Sequence, residues 1–213
     1  MAMLVVALLA TVAYIVVMGI RQWLRARTLS RLAGELNLRF SREDPFDLAD
    51  SLHDFALMNS GHSCRVSHVS HGRLGETPVR AFNLRYEVGH GTRRMTRHYS
   101  VIVADLQREM PAVLMWNQHD AENMPADIHQ VDRQVGCWAC TGSGLLADTV
   151  RGGVTALAEE GLSVEVQGRA AMLALPGRHG PWWNYTLWLD SARRLLEKLA
   201  ETACDDDAGK KET

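Results

Sequence analysis

Hydrophobic and polar positions alternate on different periods along this chain, and the first stretch has no period. Met1 to Ile20 carry no charged side chain, and Leu4, Val5, Val6, Leu8, Leu9, Val12, Tyr14, Ile15, Val16, Val17 and Met18 make a nearly unbroken apolar cylinder. A helix rises ~1.5 Å per residue, so about twenty such residues match the ~30 Å hydrocarbon layer of a bilayer. Residues 1–22 are therefore expected to anchor the chain in a lipid bilayer. Trp23 stands where an aromatic ring favours the headgroup boundary. Beyond it Leu24, Leu29, Leu32, Ala33 and Leu36 recur at helical spacing, which extends the helix as an amphipathic stalk over 23–37. Strand-like Leu38 to Phe40 ends it. Asp44 before Pro45 reads as a helix start, because Asp accepts free amide hydrogens and Pro fits a first turn; a short helix is expected over 45–55.

From Gly61 the period becomes two. Cys64, Val66, His68 and Ser70 alternate against Ser63, Arg65, Ser67 and Val69 up to Gly72 and Gly75, as a strand requires. Val79 to Val88 sets Phe82, Leu84, Tyr86 and Val88 on one face; Met95 to Leu106 follows with Tyr99, Val101 and Val103, after a hairpin loop at Gly89-His90-Gly91. Further strands are expected at Ala112–Trp116 and Val135–Cys140, and a pair at Leu162–Val166 and Ala170–Leu175 joined across Gln167-Gly168. Ser143 can cap a helix carrying Leu145 to Ala158, ended by Gly161. A last helical stripe runs through Trp188, Ala192, Leu195, Leu196, Leu199 and Ala203, followed by a polar tail, 204–213, expected to be disordered. Strands joined by short turns with few helices between them predict an α+β fold over 38–203: a mainly antiparallel sheet with helices packed on one face.

The flanks of the apolar segment set its role. A cleaved signal peptide has a basic region before its apolar run and small residues after it, and neither is present; a buried helix of a soluble protein is the third reading. Arg21, Arg25, Arg27 and Arg31 follow the segment and only the terminal amine precedes it. The positive-inside bias then places the soluble domain in the cytoplasm, on a single-pass protein of the cell membrane. The chain carries −2 overall, and residues 32–204 carry −4. A net-negative body argues against nucleic acid as a partner. Four Cys in a reducing compartment imply no disulfide framework.

Four stretches carry a resemblance: Leu32 to Phe40 (LAGELNLRF), Phe55 to Ser63 (FALMNSGHS), Val79 to Gly91 (VRAFNLRYEVGHG) and Leu162 to Gly168 (LSVEVQG). In these, and in the order of its elements along most of its length, the chain resembles a family of bacterial proteins of unknown function with one N-terminal transmembrane helix. The resemblance implies a membrane-anchored sheet domain and brings no catalytic residue with it.

Candidate chemistry is sparse. Cys137-Trp138-Ala139-Cys140 has the spacing of a redox pair or half a zinc site, but a strand there would point the two thiols to opposite faces, and no second ligand pair follows; His129 is the nearest addition. Two small core residues account for it better. The His residues are scattered without an H-E-x-x-H spacing, and Ser143 within Gly-Ser-Gly lacks the nucleophile-elbow spacing. Gly89-His90-Gly91 with Arg93, Arg94 and Arg97 could hold an anion, or be a solvated hairpin tip. Trp182, Trp183, Tyr185 and Trp188 crowd into seven positions, which suits a partner or ligand surface as well as a helix docking on the core. No nucleophile with its base, no cofactor cradle and no complete metal set is legible. The expectation is an interaction or scaffold module held at the bilayer, with an unidentified protein partner. The alternative is a membrane-tethered enzyme whose site is assembled from separated residues.

Overall fold

The computed structural model describes residues 2–117, 132–135, 138–141, 162–177 and 185–209. The N-terminal helix α1 is continuous from Ala2 to Glu35, about 50 Å at the usual rise. Its apolar first part is exposed throughout, whereas Ala26, Leu29 and Ala33 are buried. The helix is closed by two backbone bonds, Leu38 N–H to the Ala33 carbonyl at 2.8 Å and Asn37 N–H to the Gly34 carbonyl at 3.1 Å. Asn37 sits at φ 57°, the left-handed position that such a helix end needs. Leu38 then drops onto Gly72, where a Cβ would stand 2.8 Å from the Leu38 Cδ2 atom and push that side chain aside.

Among the described residues seven strands form one antiparallel sheet: β1 Arg39–Ser41, β2 His62–Leu74, β3 Thr77–Val88, β4 Met95–Asn117, β5 Asp132–Val135, β6 Trp138–Thr141 and β7 Ser163–Pro176. The order is β1-β2-β3-β4-β6-β5, with β7 paired to β4. Tyr99 to Ala104, Leu114 and Met115 pair on two sides at once. So β7 holds one edge of β4 while β3 and β6 share the other at opposite ends. The expected α+β class with an antiparallel sheet is the observed architecture, the two long helices lying on one face and the short helix Leu48–Ser51 on the other.

Two apolar layers sandwich the sheet. On one face, Val79, Ala81, Ile102, Ala104, Leu173 and Leu175 meet Ala33 of α1 and Trp188, Leu189, Ala192, Leu195, Leu196 and Leu199 of α3, the helix Tyr185–Gly209. On the other, Phe82, Leu84, Tyr86, Val101, Val103 and Met172 are covered by Leu48, Leu52, Phe55, Leu57 and Met58, from an irregular segment whose one short helix is α2, Leu48–Ser51.

Several elements depart from the sequence reading. The expected helix over 45–55 shrinks to α2 because Asp47 lies at φ 53°, which no α-helix continues through. Asp44 does accept amide hydrogens, from Phe46 at 3.1 Å and Leu48 at 2.6 Å, but from a turn outside the helix. In β2 the alternation reverses at His68 (φ 55°): Ser67 pairs with Asn83 and Ser70 with Ala81, so one extra residue bulges and Val69 joins Cys64 and Val66 on the same apolar layer. Met95–Leu106 and Ala112–Trp116 are two ends of β4, bent where its pairing shifts between Asp105 and Val113. The two segments expected to pair across Gln167-Gly168 are one strand, β7, since both of its apolar runs pair with β4. The expected strand Val135–Cys140 is divided between two paired strands, β5 ending at Val135 and β6 starting opposite it at Trp138. The helix expected after Ser143 lies outside the described residues. The polar stretch after Cys204, expected to be disordered, is helical as far as Gly209.

Candidate functional site: an arginine-lined cleft at the hairpin end

The two ends of β2–β4 differ in charge. At the end closed by the Gly75-Glu76 turn, Arg73 lies 3.9 Å from Glu76 and Arg80 2.9 Å from Asp105. At the other end, where β3 turns into β4 through residues 89–94, the sequence places Arg65, Arg85, Arg93, Arg94 and Arg97 with Glu87. Arg65 and Arg85 face each other across β2 and β3, an arrangement that opposes folding unless something screens the two charges. Glu87 supplies part of that screening, reaching Arg94 at 3.0 Å and Arg85 at 3.7 Å. With Glu87 as the carboxylate paired to both Arg85 and Arg94, the described residues lining this end carry more guanidinium groups than carboxylates.

Ser63, Arg65, Arg85, Glu87 and Arg94 line a cleft of about 290 Å³, at the small end of ligand sites. Its backbone is specialised. Ser63 occupies the left-handed region at φ 54°, beside the first pairing shift of β2. In the loop, Gly89 at φ 78° would place a Cβ 2.6 Å from the Arg93 carbonyl oxygen, so only glycine folds the loop this tightly. His62 stacks on His90 with ring centroids 5.2 Å apart. Burial, reinforced by Arg85 and Arg25, holds the His98 imidazole below its usual range, and burial with Arg25 and Arg42 does the same to His68. Arg25 of α1 thus acts on the sheet face that also carries Arg65 and Arg85. What such a cleft can do chemically is bind an anion through guanidinium groups.

A second polar site is buried. Glu165, 6% exposed, points from β7 into the layer under the irregular segment. It accepts the Ala56 amide hydrogen at 2.8 Å through Oε2, while Gln167 Nε2 donates to the Asp54 carbonyl at 3.0 Å and to Glu165. Burial pushes the Glu165 carboxyl up to about 7, against the pull of the Ala56 and Gln167 bonds.

The residues singled out from the sequence are dispersed. Trp182, Trp183 and Cys137 lie outside the described residues. Trp188 is 4% exposed within the core under α3, and Tyr185 is partly buried beside that core. Burial raises the Tyr185 phenol, with the Ser70 hydroxyl beside it working the other way. Cys140 belongs to β6, opposite Met115 of β4 and Asp132 of β5. Among the described residues no three His, Cys, Asp or Glu converge as a metal set would. Of the sequence candidates, the anion reading of Arg93, Arg94 and Arg97 gains company: Arg94 joins Arg65 and Arg85 in one cleft. The alternation of Arg65 and Arg85 with apolar residues was the visible signal, and it reads as an ordinary solvent face until the strands are paired.

The chain matches no protein-family model and no curated protein sequence. Its fold is similar to the crystal structure of the mycobacterial trehalose monomycolate transport factor A, TtfA, at a TM-score of 0.55 and 12% identity, covering 84% of this chain and 93% of that one. At that identity the likeness is one of fold.

Proposed function

We propose that this chain is a membrane-anchored interaction module: residues 1–22 cross a bilayer once, and the α+β domain presents a surface to a protein partner at the cytoplasmic face. The observation that carries this reading is α1. Among the described residues one helix, α1, is long and apolar enough to cross a membrane at its N-terminal part, and the same helix buries Ala26, Leu29 and Ala33 in the domain. A segment that exposes Leu4, Leu8, Val12 and Ile15 to water would be costly at roughly 25 cal/mol per Å² of apolar surface, and a bilayer removes that cost. The four Arg from Arg21 to Arg31 favour the cytoplasmic side for the domain. The first turn of α3 is our choice of partner surface: Leu187 is 63% exposed there, and Trp182 and Trp183 precede it in the sequence. TtfA is named as a transport factor for a lipid, which supports looking for the partner among membrane proteins that handle lipids.

Deleting residues 1–22 is expected to move the protein from carbonate-resistant membranes to the soluble fraction. Retention in the membrane pellet would remove the anchor. A photo-crosslinking side chain at Leu187 should capture a membrane protein in cells, and impermeant thiol reagents should reach Cys204 only after permeabilisation. Labelling of Cys204 in intact cells would reverse the orientation.

A further inference from the structure

We propose that the arginine-lined hairpin end of the sheet docks onto the anionic headgroups of the bilayer that holds α1. This rests on the anchored reading above and adds a second, electrostatic contact to it. The direction of α1 decides the geometry. Its C-terminal turn lies over Gly72, through Leu38, and Ala33 shares a core with Leu74 and Val79 near the Gly75-Glu76 turn. Eight residues back, Arg25 acts on both His68 and His98. Followed towards its N-terminus, α1 therefore climbs the sheet from the turn end to the hairpin end and leaves the domain there, with Leu24 and the apolar residues back to Met3 exposed.

The distances match. From Arg25 back to Ile20, the last residue of the uncharged segment, the helix rises about 8 Å. From His98 to Arg94 the strand and loop extend about 13 Å in the same general direction. The hairpin arginines thus reach to within about 5 Å of the level at which α1 enters its apolar segment. Arg93 and Arg94 are exposed at the loop, and Arg65 and Arg85 are exposed on the strands behind it. The cationic end stands out against a body that carries −4 over residues 32–204. It would face the bilayer that the proposed anchor brings near it, and a surface rich in acidic phospholipid attracts clustered Arg within a Debye length. Guanidinium groups suit the phosphodiester oxygens, which they engage with paired N–H donors.

The test is hydrogen exchange of the full chain in nanodiscs of phosphatidylcholine, with and without phosphatidylglycerol. Exchange over residues 89–97 is expected to slow about tenfold when the anionic lipid is present, given the strength of a few Arg contacts at a charged surface, and to recover in high salt. Arg85→Gln with Arg94→Gln should abolish the slowing while the protection of 185–199 is unchanged; Arg93→Glu, at the exposed tip, should do the same with less risk to the fold. Equal exchange in both lipids, with the protein still held in the discs, overturns the docking and leaves the anchor standing. Release from discs of either composition overturns both. The same protection from millimolar inorganic phosphate in phosphatidylcholine discs also overturns it, by making the cleft a soluble-anion site.

Discussion

The two faces of the sheet are covered by different means. One lies under α1 and α3, regular elements whose buried residues are almost all aliphatic. The other lies under an irregular segment with one four-residue helix, tied to the sheet by the Glu165 carboxylate and the Gln167 amide. A helix satisfies its own backbone and needs only an apolar stripe to dock. An irregular segment must find partners for its amides on the surface that it covers, and a buried carboxylate is one solution, at the cost of desolvating its charge.

Truncation should expose this difference most strongly in the aliphatic layer. Leu189→Ala, at a fully buried position of α3, should cost about 2–5 kcal/mol and lower the whole denaturation curve. Uniform loss of protection in native-state exchange would confirm that this layer holds the global fold; loss confined to α3 would contradict it.

The second face should respond to pH. Glu165 is raised from 4.5 to about 7 in the folded chain, so the native state holds its proton more tightly than the unfolded one. Stability from this group is complete below about pH 4.5 and is lost as pH rises through 7. A shift of that size corresponds to an upper limit on the order of 3 kcal/mol. Denaturant midpoints measured from pH 4.5 to 8 should fall accordingly, after subtraction of the same series for Glu165→Gln, which cannot titrate. Identical slopes for the two proteins would discard the assignment. The smallest effect is expected at the edge of the irregular segment: Asp44→Ala removes the acceptor of the Phe46 and Leu48 amides and should cost about 1 kcal/mol, read as faster exchange at Leu48 with α3 unchanged.

The same contrast explains what the sequence could disclose. The helix-covered face was legible, because Leu29 and Ala33, or Leu195 and Leu199, recur on a period that no loop produces. So were Phe82, Leu84 and Tyr86 on one side of β3 and Tyr99, Val101 and Val103 on one side of β4. Pairing between distant segments was not. Nothing local says that the runs Leu162–Val166 and Ala170–Leu175 both lie along β4, or that His68 carries a bulge that reverses a face. Glu165 sat in view, alternating with Val164 and Val166, and alternation marks the polar side as solvent; only the segment folded over it makes it buried. The cleft escaped for a related reason, since Arg65 and Arg85 become neighbours through strand register and not through spacing.

The absence of any break in α1 bears on how a partner would be met. With the first part of the helix seated in lipid as proposed, the domain has no swivel at residue 23. Diffusion is confined to two dimensions, and the tilt and height of the α3 surface are fixed before any encounter. Part of the rotational freedom that a free protein gives up on association would already be gone, and the local concentration of a partner in the same membrane would be set by area instead of volume. A flexible linker inserted after Trp23 would keep the confinement and restore the rotation, which separates the two contributions.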